Sequence, residues 1–140
     1  MSLDPKIWGS SMWTTLLTTA LGYPEVPSID DIYHYKRWYY HLQFVLPCET
    51  CRKNFKDHIR KVPIDHFLKS RSRLLIWVTQ MHNLVANDLG KKTLTVKEMV
   101  KQYVKEYNGQ IGGSIGGTIP SIIVTLIIVF IFYKFVLRRN

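Results

Sequence analysis

Both cysteines of this 140-residue chain sit in one pentapeptide, Pro47-Cys48-Glu49-Thr50-Cys51. A small disulfide scaffold would spread four or more cysteines along the chain, and a closed structural zinc site wants four ligands in paired clusters. This arrangement is neither, so the fold cannot rest on a sulfur framework. A redox dithiol needs only two. Proline is tolerated at the first helical position, where its missing N–H would have no partner anyway, so Pro47 is expected to open a helix through Arg52, Phe55 and Ile59. Cys48 and Cys51 then share a face of its first turn. Free N–H groups and the positive end of the helix dipole stabilise a thiolate there, and Arg52, Lys53 and Lys56 add positive charge.

The motif by itself leaves two other readings open. One is half a zinc site completed by His58 or His82, although their spacing from the cysteines fits no familiar pattern. The other is a thioredoxin-type motif. It is disfavoured because the first 110 residues contain no alternating or β-branched run able to build a central sheet.

Helical periodicity runs through the same region. Trp8, Met12, Trp13, Leu16, Leu17, Ala20 and Leu21 recur at helical spacing until Gly22 and Pro24 stop the pattern. Ser28 can cap a second helix that turns Ile32, Tyr35, Tyr39, Leu42 and Val45 toward a core. The helix of the cysteine motif is the third, and Pro63 interrupts it. A short turn over Ile64 to Leu68 precedes a fourth helix from about Arg71 to Leu89, closed by Gly90. Thr95-Val96-Lys97-Glu98 reads as a capping box for a fifth, with Val96, Met99, Val100, Tyr103 and Val104 inward. The expected architecture is an all-α helical bundle.

Composition changes abruptly after Asn108. Residues 109–118 hold five glycines and read as a flexible linker, and residues 119–137 as a transmembrane helix followed by a basic tail, 138–140. The uncharged stretch from Gln110 to Tyr133 exceeds the roughly 20 residues needed to cross a bilayer. Lys134, Arg138 and Arg139 can reach the headgroups. The first residues, with Asp4 and Pro5, lack the continuous apolar core of a signal peptide. The chain is therefore expected to be a single-pass protein anchored by its C-terminal helix, with residues 1–108 facing the cytosol.

All ten acidic residues and all but three of the nineteen basic ones precede that span, within a net charge of +9. Such a balance suits an anionic membrane surface, a phosphate-bearing cofactor or an acidic protein partner. No helix-turn-helix, finger or aromatic platform motif is present and the basic residues are scattered, so nucleic acid is not an expected partner.

Three segments together resemble a known family. Gly9-Ser10-Ser11-Met12-Trp13, the dithiol pentapeptide, and His82-Asn83-Leu84-Val85-Ala86-Asn87-Asp88-Leu89-Gly90-Lys91 occur in the order and approximate spacing of Erv/ALR-type FAD-linked sulfhydryl oxidases, in the minimal form found in large DNA viruses. The resemblance covers about Trp8 to Tyr103. It implies a four-helix bundle with an additional short helix that holds FAD beside the cysteines and forms a homodimer. It also implies that Gly9, Trp13, Tyr23, His82, Asn83, Val85, Leu89, Lys91 and Tyr103 contact FAD. Leu17 stands where the family pattern has a histidine, and Ala86 where a second asparagine is usual. No distal shuttle cysteine pair exists, so electrons must come from an outside thiol-containing protein or a thioredoxin-like donor.

The implied activity is thiol oxidation. The substrate attacks Cys48, Cys51 faces the flavin, and dioxygen leaves as hydrogen peroxide. No metal is implied. Virus assembly is the expected setting, in a virion or host membrane. The competing reading is a structural or virion membrane protein that keeps the oxidase-like bundle without catalysis.

Overall fold

The computed structural model describes residues 3–115. Five α-helices and one 3₁₀ turn occur in the order α1 (Pro5–Leu21), α2 (Ile29–Val45), α3 (Glu49–Lys61), the 3₁₀ turn (Ile64–Phe67), α4 (Arg71–Asp88) and α5 (Val96–Ile115). No strand occurs among the described residues. The expected transmembrane helix at 119–137, the basic tail and the end of the linker lie outside them. Among the described residues, no helix is long and apolar enough to cross a membrane.

Local chemistry sets the helix ends. Asp4 caps α1 by accepting from the Lys6 N–H at 2.9 Å, with Pro5 as first helical residue. Ser28 and Asp31 form a reciprocal capping box at the start of α2. Thr95 and Glu98 repeat the device for α5, at 2.8 Å from Thr95 N to Glu98 Oε2 and 3.2 Å from Glu98 N to Thr95 Oγ1. Pro63 follows the end of α3 and opens the 3₁₀ turn. Gly90 adopts a φ of +64° after α4, a left-handed conformation that a side chain disfavours.

The chain divides into two compact units, one ending at Val100 and one beginning at Lys101. In the first, α1 packs on α4, α2 on α3, and α3 on α4. Leu16, Leu17, Ala20, Tyr39, Leu42, Phe55, Ile59, Leu74, Trp77, Val78 and Met81 are buried and form the core. Each large apolar side chain buried this way contributes about 1.5–3 kcal/mol relative to exposure. Buried polar atoms tie the helices together. Tyr39 donates to the Leu16 carbonyl at 2.9 Å, Trp77 to Val62 at 2.9 Å and Tyr23 to Leu68 at 2.8 Å. Burial raises the Tyr39 and Tyr23 hydroxyls above the ordinary phenol value, so both remain donors.

Four sequence expectations shift, the first being Val104, expected inward but exposed. Val45 is 68% exposed, and Leu46 and Gln43 take the inward places, because the last turn of α2 ends at Val45 and the chain turns in just beyond it. Cys48 is the N-cap of α3 and Pro47 precedes the helix altogether. The fifth helix continues to Ile115 through Gly109, Gly112 and Gly113, the start of the expected linker. Helix propagation adds one hydrogen bond per residue, which tolerates a glycine penalty of about 1 kcal/mol each.

Candidate functional site

Cys48 and Cys51 are joined as a disulfide with Cα atoms 5.0 Å apart. As N-cap, Cys48 adopts an extended backbone (φ −118°, ψ 125°), and its Sγ accepts the Cys51 amide N–H at 3.2 Å. This is the place a serine or aspartate oxygen occupies in other caps, and it aims an N–H at the Cys48 sulfur. Cys48 is only 7% exposed and Cys51 is half-buried.

The motif is braced on both sides. Arg52 donates to the Leu46 carbonyl at 2.6 Å and thereby caps the end of α2, so its guanidinium serves the turn as well as the local field. The Leu3 N–H donates to Pro47 O at 3.2 Å, and the Trp8 indole N–H to Leu3 O at 3.3 Å, tying the entrance of α1 to the residue before Cys48. Phe55 and Ile59 anchor α3 from its buried face. Lys53 and Lys56 remain exposed.

A second cluster lies where α1 meets α4. Trp13 and His82 are both half-buried, with ring centroids 5.0 Å apart in an edge-to-face arrangement. Gly9 precedes Trp13 by one helical turn, and a Cβ there would meet nothing within 4 Å. Asn83 is a structural pin: its Nδ2 donates to Leu94 O at 2.8 Å and its Oδ1 accepts the Leu94 N–H at 2.9 Å. The loop after α4 is thereby folded back on the helix, and the Lys91 N–H reaches Ala86 O at 2.8 Å. Val85 is half-buried, Leu89 is 62% exposed at the C-cap, and the Lys91 side chain is exposed.

Tyr23 and Tyr103 have partners of their own. Tyr23 is fully buried, its hydroxyl satisfied and its ring 4.6 Å from Tyr35, so it offers no surface to a ligand and belongs to the core. Tyr103 belongs to the second unit, where it stacks on Tyr107 with centroids 6.1 Å apart. Leu17 and Ala86, each 4% exposed, are core residues at the positions where the family pattern is polar.

Sequence reading missed the structural roles of Leu3, Trp8, Arg52 and His58. Each is defined by a partner distant in the chain or by a backbone carbonyl, which leaves no periodic trace. The remaining residues fit a flat anionic cofactor. Edge-on aromatic rings with free surface, open space at Gly9 and an exposed apolar Leu89 suit a ring system, and the Lys91 ammonium suits a phosphate.

A helical domain with a disulfide capping a helix N-terminus is a thiol–disulfide redox module. The chain belongs to the Erv1 / Alr family, whose sequence profile matches residues 10–105. It is 39% identical over 99 residues to a protein of Acanthamoeba polyphaga mimivirus named "Probable FAD-linked sulfhydryl oxidase R368", covering 70% of this chain and 69% of that one. The crystal structure of the yeast Erv1 core superposes with a TM-score of 0.67 at 27% identity, covering 74% of this chain and 86% of that one. That of the FAD binding domain of Erv1 from Saccharomyces cerevisiae gives a TM-score of 0.66 at 28% identity, covering 72% and 94%.

Proposed function

We infer that this chain, an FAD-linked sulfhydryl oxidase by family, takes electrons from thiols of a partner protein through Cys48 and Cys51. The observation that carries this reading is the Cys48–Cys51 disulfide at the capped start of α3. A substrate thiolate attacks Cys48 and expels the Cys51 sulfur, and a second substrate thiol then breaks the mixed disulfide. The substrate leaves as a disulfide and the pair is left as two thiols. In the reduced pair, the Cys51 N–H aimed at Cys48 and the positive end of α3 stabilise negative charge on sulfur. When bound, FAD supplies a two-electron acceptor that the dithiol reduces and dioxygen re-oxidises, giving hydrogen peroxide. Trp13 and His82 would flank its rings, Val85 and Leu89 would cover apolar surface, and Lys91 would meet its phosphates. Asn83 holds the loop that presents Leu89 and Lys91.

The finer architecture in this reading is a four-helix bundle with an additional short helix, followed by a membrane helix over residues 119–137. The length and apolarity of that segment in the sequence support single-pass anchoring. In this reading the membrane is that of a virion or host and the oxidase domain faces the cytosol. A homodimer would cover the exposed Ile29, Tyr33, Tyr40, Phe44 and Val45 of α2. The electron donor is a thiol-containing or thioredoxin-like protein.

The purified full chain should carry visible flavin absorbance and consume oxygen when given a reduced dithiol peptide, with peroxide formed in step. Bound flavin without oxygen uptake would favour the non-catalytic structural protein instead.

A further inference from the structure

The buried face of α3 carries a group that the thiol chemistry does not use. His58 is 3% exposed and lies seven residues after Cys51 on the same face. Two turns of one helix therefore separate them by about 10 Å. Its Nε2 is 3.0 Å from Asp88 Oδ2, and its Nδ1 is buried without a hydrogen-bond partner. Asp88 is the last residue of α4, directly before Leu89, Gly90 and Lys91. The far side of that loop is held to α4 by Asn83. The His58–Asp88 contact is thus a direct link from the dithiol helix to the loop.

The protonation state follows from the partners. A carboxylate oxygen lies 3.0 Å from Nε2, while Nδ1 has no hydrogen-bond partner. An imidazolium would bury an unpaired N–H, the more costly orphan. Burial holds the imidazole below its ordinary titration range, helped by Lys61 and opposed by the Asp88 and Asp57 carboxylates.

We propose that His58 and Asp88 are a positioning pair: the close contact of the buried His58 imidazole with the Asp88 carboxylate sets the separation between the Cys48–Cys51 disulfide and the Leu89–Lys91 loop. The pair rests on the oxidase reading above, because that separation matters only if a cofactor held by the loop must receive electrons from the dithiol. Small displacements of reacting groups are expensive: about 1 Å can cost a factor of roughly a hundred in rate. A bond between the two supporting elements is where such a displacement would be prevented.

The test compares the wild-type full chain with Asp88→Ala, Asp88→Asn and His58→Phe. Rapid mixing with a small dithiol reads flavin reduction, and mixing of the reduced protein with oxygen reads reoxidation. Amide exchange over Leu89 to Leu94 reads loop order independently of turnover. Asp88→Ala and His58→Phe should slow reduction about tenfold per bound flavin, leave reoxidation unchanged and accelerate exchange in the loop. Asp88→Asn keeps a polar group of the same size and reach against the His58 ring and should recover most of the reduction rate. Variants that melt earlier yet reduce flavin at the wild-type rate, with unchanged loop exchange, would overturn the pair's positioning role. If the wild type binds no flavin, the oxidase reading fails, and exchange in the loop still decides whether the pair holds it.

Discussion

The start of α3 and the end of α4 frame the site, and they are held by opposite chemistry. At α3 the cap acceptor is the Cys48 sulfur, at 3.2 Å from the Cys51 amide nitrogen, and its bonding changes with every redox cycle. At α4 the holding group is the Asn83 carboxamide, with two bonds of 2.8 and 2.9 Å to the Leu94 backbone that no redox event touches. The reactive end can tolerate a changing cap because α3 is fixed elsewhere, by Phe55 and Ile59 in the core and by Arg52 on the Leu46 carbonyl. The loop end has no such reserve. It depends on its own hydrogen bonds, on Gly90 and on the contact of Asp88 with His58.

If the ends divide labour in this way, substitutions at the two should separate activity from stability. The largest effect is on activity: Cys51→Ser should bring dithiol-driven oxygen uptake to background while leaving the denaturation midpoint near wild type. Turnover at the wild-type rate would refute the relay. Next, Asn83→Ala removes two hydrogen bonds and leaves the Leu94 amide and carbonyl without partners. Urea denaturation should register a loss of about 2–3 kcal/mol. Gly90→Ala should be milder, about 1 kcal/mol, because open space surrounds the added Cβ and only the positive φ opposes it. Should Gly90→Ala cost more than Asn83→Ala, the loop is governed by its backbone turn rather than by the carboxamide.

The smallest effect is in pH. Burial lowers the folded-state affinity of His58 for protons below that of the unfolded chain, whose value is 6.5. Its contribution is therefore complete above that value and is lost as pH falls from it toward the folded-state pKa. Thermal melts of wild type and His58→Phe across this window should differ in slope, the wild type losing stability on acidification. Parallel slopes would mean that the imidazole gains a partner for its proton on acidification, and the separation of the two ends would need no titratable link.

Most of the helical frame was legible from local signals. Ser28, Thr95, Pro63 and Gly90 act where the sequence placed them, because a cap or a break involves residues three or four apart and a single backbone geometry. The dithiol was equally legible, since its two sulfurs are neighbours in the chain. Its seat was not. Pro47 is compatible with a first helical position, yet the chain starts the helix two residues later, where the Cys48 sulfur can accept an amide. Tyr23 carried an expected ligand role and turned out to be core, because the Leu68 carbonyl that satisfies its hydroxyl lies 45 residues away.

Sequence alone determined the helical class, the caps and breaks at Ser28, Pro63, Gly90 and Thr95, the position of the redox pair and the family resemblance, since each is encoded in contacts of short range or in side-chain type. Tertiary structure decided which face of each helix has surface to offer and which polar group finds a partner. Those outcomes depend on what the opposite helix presents, as His58 shows: nothing near it in the chain announces Asp88, thirty residues on, as the carboxylate that packing brings to 3.0 Å.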